Sequence, residues 1–240
     1  ILPKTWVYKI PESLPDRVAV LIDIFASVGG IKKAMAPAPA LKEGFGPTDV
    51  VVIQGSGPIG LAAGMTAKLS GAYEIILVGA PKHRLDLART FRIFDHIIDL
   101  EEVPHPRDRV QAIKELTSGR VGPDMVVECT GVPSAVAEGL EYLRRGGTFV
   151  ELGCFTDTGE VVLNPFRHMC HKEVNLIGQY GCPPQYYDVA IKLVEMAWKM
   201  GWPLDKMVTH EFPVTRAQEA IEAHKNLTCM KAIINPRLEG

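Results

Sequence analysis

Among its 240 residues the chain has five cysteines, Cys129, Cys154, Cys170, Cys182 and Cys229, and no two of them form a C-x-x-C pair. An odd number without that spacing argues against a disulfide scaffold and for a reducing, cytoplasmic setting. Charge of one sign is also missing. A formal net charge of -2 supplies neither the basic stripe of a nucleic-acid binder nor a surface drawn to anionic lipid. Aromatic and basic residues do not interleave as they do on nucleic-acid platforms. No apolar run reaches the roughly 18 residues that a membrane-spanning helix needs. The serines lack the G-x-S-x-G elbow of a hydrolase nucleophile. The chain opens on ILPKTW, with no initiator methionine and no basic stretch ahead of an apolar one. No targeting segment is read there, and the chain is expected to begin inside something longer.

What is present is an alternation. Apolar strands are expected at VVVIQG (50–55), EIILVG (74–79), HIIDL (96–100), DMVVECT (124–130) and GTFVELG (147–153), with one more at VNLIGQY (174–180). Helical patterns separate them at PIGLAAGMTAKLSG, HRLDLARTF, RDRVQAIKELTSG and SAVAEGLEYLRRG. Strands alternating with helices of this length predict a parallel sheet covered on both faces, a Rossmann-type doubly wound α/β fold in three αβα layers. Ahead of it, VAVLIDIFASVGGIKKAM (18–35) has a helical rhythm, and the proline- and glycine-rich APAPALKEGFGPTD follows. After residue 182 the pattern changes to a helix, an extended VTHEFPV, a second helix and a terminal strand MKAIINP, which suggests a separate structural unit.

Gly55, Gly57 and Gly60 fit G-x-G-x-x-G directly between a strand and a helix. The first glycine permits the tight turn, the second lets a pyrophosphate approach the backbone, and the third lets helix and strand pack closely. Phosphate would sit over the helix N-terminus, among Ser56, Gly57, Pro58 and Ile59, where free N–H groups and the helix dipole favour negative charge. Pro58 suits the first turn because it lacks an N–H the helix does not need there. The second strand departs from the NAD pattern. It ends in Gly79 where an acid would grip the adenosine ribose, and Lys82, His83 and Arg84 follow. A missing acid with a nearby arginine favours NADP over NAD, because the guanidinium fork matches phosphate geometry. PKHR also reads as the basic first turn of an exposed helix.

The stretches VVVIQGSGPIGLAAGMTAKLSGAYEIILVGAPKHRLDLA and GPDMVVECTGVPSAVAEGLEYLRRGGTFVELG together resemble the zinc-dependent medium-chain alcohol dehydrogenases, nearest to their polyol and threonine dehydrogenase-like branches. That resemblance extends over nearly the whole chain. It implies that an N-terminal GroES-like catalytic portion, with most zinc ligands, is missing. Residues 1–19 would then be a remnant or linker of that portion, 20–182 the dinucleotide-binding domain, and 183–240 helices and strands returning toward the catalytic portion. By position, the resemblance places the pyrophosphate at Gly55, Gly57 and Gly60. Thr130 and Gly131 would lie beside the adenosine and nicotinamide ribose. Leu152, Gly153 and Cys154 would hold the nicotinamide carboxamide, Ser27 would pack under the nicotinamide ring, and Lys231 would reach the pyrophosphate.

Asp23 stands alone among apolar neighbours in LIDIFASV. A buried carboxylate is costly unless it is paired or binds a metal, so a partner is expected. An N-cap role and a salt bridge to Lys32 or Lys33 are the structural readings. The resemblance implies instead a ligand of a catalytic zinc whose other ligands lie in the missing portion. His168, Cys170 and His171 in RHMCHKE have the wrong spacing for a closed zinc set and are read as a linker with partly exposed polar residues. HPRDR (105–109) is read as the solvated approach to a helix, and MAWKMGW as amphipathic packing.

The reaction implied for an intact enzyme is reversible oxidation of an alcohol to a carbonyl compound by hydride transfer to NAD or NADP, assisted by zinc, in a homodimer or homotetramer. A non-catalytic dinucleotide-binding module and an interaction protein that reuses the fold are the other two classes. Neither nucleic acid nor a membrane is expected as a partner.

Overall fold

The computed structural model describes residues 7–35 and 45–239. Residues 36–44 of the expected interruption APAPALKEGFGPTD and the first six residues of the 1–19 segment lie outside the described residues.

Three short helices come first, α1 (Asp16–Ala19), α2 (Ile22–Ser27) and α3 (Gly30–Ala34). Then strands and helices alternate: β1 (Val50–Gln54), α4 (Pro58–Leu69), β2 (Glu74–Gly79), α5 (Lys82–Phe91), β3 (His96–Asp99), α6 (Pro106–Glu115), β4 (Met125–Glu128), α7 (Pro133–Tyr142), β5 (Thr148–Glu151) and β6 (Asn175–Gly178). The six strands form one parallel sheet in the order β3-β2-β1-β4-β5-β6. This is a Rossmann sheet. The strand order reverses between β1 and β4, so a crevice opens beyond their carboxyl ends, where such sheets bind ligands.

The strands are continuous apolar runs because both faces are covered. Val51, Ile53, Ile75, Leu77, Met125 and Val127 point into one core, shared with α4. Their neighbours Val52, Ile76, Val78 and Val126 point into the other, shared with Leu140 and Tyr142 of α7 and Ile113 of α6. The period of two places successive residues on opposite faces. At the sheet edge, β6 alternates half-buried with exposed residues, and Leu176 faces outward.

The rhythm over 18–35 predicts one helix, but the chain forms three pieces. At the second break stands Gly29, where a Cβ would lie 2.5 Å from the Tyr186 ring. Gly29 itself keeps helical backbone angles, and the space a side chain there would need is taken by that distant residue.

The C-terminal portion adds α8 (Tyr187–Lys199), β7 (Val208–Phe212), α9 (Ala217–Lys225) and β8 (Lys231–Ile234). Helix α8 packs on α2 and buries Ala190, Val194 and Ala197 in the first core. Strands β7 and β8 pair with each other as a separate two-stranded sheet, and with α9 they enclose a small core of Ala220, Cys229 and Ala232. Arg17 ties this unit to the N-terminal segment through Glu211 at 2.6 Å and the Val208 carbonyl at 2.6 Å. Among the described residues no helix is long and apolar enough to cross a membrane.

Candidate dinucleotide site

Two cavities open at the carboxyl ends of the central strands. The first, about 350 Å³, runs from the glycine turn past Gly79, Ala80 and Arg84 to Arg109 and Glu138. The second, about 330 Å³, is bounded by Asp23, Ser27, Ile59, Leu152, Gly153 and Cys182. Each is of small-molecule size. Gly55 and Cys129–Thr130 belong to the ends of β1 and β4, which meet at the strand-order reversal.

The glycine turn forms as its sequence predicts. Gly55 has φ +108°, a conformation that side chains disfavour, and a Cβ on Gly60 would overlap the Gly55 carbonyl oxygen. Pro58 starts α4 at its first turn with Gly57 as the cap. The first N–H groups of α4 have no partner within the helix; Gly55, Ser56 and Gly57 line the first cavity and Ile59 the second.

Of the basic residues in the PKHR stretch, Arg84 is the one that lines this cavity. Lys82 does not line it; its exposed side chain pairs with Asp86 at 3.8 Å. Arg84 is 8% exposed. Its Nη2 donates to the Cys229 carbonyl at 2.7 Å, its Nε is buried without a partner among the described residues, and its Nη1 lies 3.8 Å from where a Gly57 Cβ would stand. No carboxylate pairs with it among the described residues, and burial pushes its pKa below the usual arginine value. A desolvated cation in this state is stabilised by an anion placed in the cavity.

Arg109, read from sequence as solvated, is buried. Its fork is bidentate to Glu138 at 2.6 and 2.7 Å, and it donates to the carbonyls of Val103 and Pro104. The Tyr142 hydroxyl also donates to Glu138. This network forms the floor of the first cavity.

Glu128, which the sequence reading passed over, ends β4 fully buried. Thr130 donates to it through backbone N–H, at 2.6 Å, and through its hydroxyl, while the Gly131 N–H lies at 3.4 Å. It therefore shapes the loop that carries both expected ribose contacts. Burial, reinforced by the nearby Glu151, raises its pKa to about 7. The readable signal was an acid ending an apolar strand, with a threonine and a glycine donor two and three residues on. Because the folded pKa is raised above the unfolded 4.5, this group's stabilisation is full below about pH 4.5 and is lost as pH rises through about 7. Thermal unfolding midpoints followed from pH 5 to 8 should fall, and Glu128→Gln should flatten that fall; an unchanged slope would contradict the assignment.

The second cavity holds Ser27, Leu152 and Gly153 together, with Ile59 from the start of α4. Cys154 follows directly, its N–H donating to Glu151 at 2.8 Å. Lys231 is the first residue of β8 and lines neither cavity. The buried-acid premise for Asp23 is corrected: the residue is exposed, because α2 turns its Ile24 and Phe25 inward and its Asp23 out. Its partner is neither Lys32 nor Lys33. The Tyr187 hydroxyl donates to Asp23 Oδ1 at 2.6 Å, and the Ser27 hydroxyl lies 2.8 Å from Cys182 Sγ. Tyr187 and Cys182 were not singled out from sequence, since nothing local ties them to α2.

The RHMCHKE segment keeps its partly exposed polar residues, with His168 as the exception. Residues 166–170 form a helical turn, and His168 is buried, bonded to Glu141 at 2.9 Å and accepting the Asn164 N–H at 3.0 Å. Among the described residues, the metal-ligand types that converge are Glu128, Glu151 and Cys154, and His168 is not among them.

The chain is 28% identical to a sorbitol dehydrogenase of Halalkalibacterium halodurans over 96% of its own length and 62% of that protein's. It is 30% identical to a D-xylulose reductase of Saccharomyces cerevisiae, over 96% of this chain and 61% of the relative. An alcohol dehydrogenase structure from Thermotoga maritima superposes with a TM-score of 0.83 at 25% identity, covering 96% of this chain and 60% of that one. The chain thus spans about three fifths of these relatives' length and corresponds to their cofactor-binding part. The sequence profile of the zinc-binding dehydrogenases matches residues 58–196, which is more than half of the 240, and the chain belongs to that family.

Proposed function

We propose that this chain is the NADP-binding part of a zinc-assisted alcohol dehydrogenase. The observation that carries the reading is Arg84, a buried guanidinium with no carboxylate partner among the described residues, facing the glycine turn. Gly55, Gly57 and Gly60 cradle the pyrophosphate with Ser56, Pro58 and Ile59. Arg84 takes the 2′-phosphate beside Gly79, where no acid repels it. Thr130 and Gly131 flank the riboses. Leu152, Gly153 and Cys154 hold the carboxamide, and Ser27 supports the nicotinamide ring. Lys231 reaches the pyrophosphate only if the loop before β8 shifts inward.

In the longer protein, Asp23 is a zinc ligand. It fits as one donor of a set, being exposed at the cavity mouth with one oxygen held by Tyr187 and no ion pair among the described residues. A carboxylate oxygen is a normal zinc donor, although one carboxylate cannot retain the ion. Zinc supplies Lewis acidity that favours the alkoxide, and the dinucleotide supplies the hydride acceptor. The substrate class is an alcohol, with polyols favoured by the relatives' names. The exposed edge β6 suits a homodimer, and five free cysteines suit the cytoplasm.

Titration of the chain with NADP and NAD tests the cofactor reading, with at least a tenfold preference for NADP expected. A tenfold preference for NAD would refute it. For the zinc site, Asp23→Ala in the longer protein should lower bound zinc; retention of one zinc per catalytic site with near-normal turnover contradicts that role.

A further inference from the structure

Glu128 and Glu151 are register partners at the ends of β4 and β5, so their side chains leave the same face of the sheet. An oxygen of each lies within 4.8 Å of the other. No arginine, lysine or histidine pairs with either carboxylate among the described residues. One oxygen of each holds the loop that follows its own strand. Glu128 Oε1 accepts from the Thr130 N–H and hydroxyl, and Glu151 Oε1 accepts from the Cys154 N–H at 2.8 Å. The second oxygens are left over. Glu151 Oε2 is buried without a hydrogen-bond partner among the described residues, and the contact of Glu128 Oε2 with the Gly131 N–H is long, 3.4 Å. Glu128 Oε2 also stands 2.1 Å from where a Cβ on Gly153 would be, so this carboxyl fills side-chain space in the loop after β5. Two buried carboxylates this close, with no cation beside them, do not both stay charged. One proton satisfies both left-over oxygens, directly or through a single water.

We propose that Glu151 is a positioning residue for the dinucleotide: a proton held between Glu151 and Glu128 ties the loop after β5 to the loop after β4. The proposal rests on the dinucleotide reading above, which assigns Thr130 and Gly131 to the riboses and Leu152, Gly153 and Cys154 to the carboxamide. When the proton leaves, two carboxylates repel across the gap and the two sets of cofactor contacts part. Burial, with Glu151 beside it, pushes the Glu128 carboxyl up to about 7, so the change falls near neutral pH. Around the pair, burial pushes the Cys129 and Cys154 thiols up, which keeps them neutral there. On α7, Glu138 is bidentate to Arg109, and Glu141 pairs with Arg167 and His168. In the loop after β5, Asp157 and Glu160 are exposed.

Infrared spectra of this chain should contain a carboxylic acid C=O band, absent from Glu128→Gln, that disappears with a midpoint near 7 as pH rises. Glu151→Gln should move that midpoint down by at least about one pH unit, because an amide donor replaces the repelling carboxylate. An unmoved midpoint means that burial alone holds the Glu128 proton, and overturns the sharing. The binding arm runs from pH 7 to 9, where a phosphate with a second pKa of about 6 is already a dianion. There the dissociation constant for NADP should rise at least about threefold, with proton uptake on binding. Glu151→Gln should flatten this dependence, since its amide can donate to Glu128 at every pH. A constant that ignores pH in the unaltered chain, or a dependence that persists in Glu151→Gln, overturns the positioning role. If the unaltered chain binds neither dinucleotide at any pH, the cofactor reading fails and the positioning role with it, while the infrared midpoints still decide whether the proton is shared.

Discussion

Arg109→Met is expected to destabilise the folded chain by about 3–5 kcal/mol, the usual consequence of leaving one member of a buried ion pair alone. The side chains of Arg109 and Glu138 are 8% and 13% exposed, so solvent does little to relieve the carboxylate left behind. Two carbonyls, of Val103 and Pro104, would also lose their donor. The hydrogen bond to Glu138 holds the Arg109 pKa above its ordinary value. Replacing both residues with methionine should recover much of the loss, because it removes the stranded charge as well as the attraction. Urea unfolding of the two single variants and the double variant measures this. A single-variant loss below about 1 kcal/mol, typical of exposed pairs, would mean that the network is solvated after all.

The other large effect is on binding. Arg84→Met should weaken NADP by about 100-fold, or about 2.7 kcal/mol, while changing NAD much less. Arg84 is conformationally prepared for this role, since its Nη2 is anchored on the Cys229 carbonyl while its buried Nε has no partner among the described residues. Little ordering then opposes the charge-assisted bonds it makes. Arg84→Lys should recover part of the affinity, keeping the charge without the fork. Equal losses for both dinucleotides would instead place the guanidinium on the pyrophosphate that they share.

Much of this site was legible because its signals are local. VVVIQGSGPIG carries strand, turn and helix start within eleven residues, and Gly55 and Gly60 stand where the backbone geometry of the turn favours glycine. The alternation of strands and helices likewise foretold the parallel sheet. What escaped was set by distant contacts. The Tyr186 ring fills the space that a side chain at Gly29 would need, a contact 157 residues along the chain. His168 is buried because Glu141 meets it from α7. Arg109 left solvent for Glu138, 29 residues on. Asp23 is a different case, since the pattern did hold the answer. Val20 is exposed and Asp23 follows three residues later on the same face, whereas the intervening Leu21 and Ile22 are buried. The exposed stripe was there to be read, but counting apolar neighbours along the chain concealed it.

The central claim, that a buried guanidinium beside the glycine turn reads the 2′-phosphate of NADP, is tested most directly by phosphorus NMR of NADP bound to this chain. The account predicts that the 2′-phosphate resonance moves on binding. It also predicts that this phosphate keeps its second negative charge to lower pH than in the free dinucleotide, because Arg84 stabilises the dianion, and that Arg84→Met abolishes this shift. A bound 2′-phosphate that titrates as it does in free NADP, while the pyrophosphate resonances move, would contradict the account.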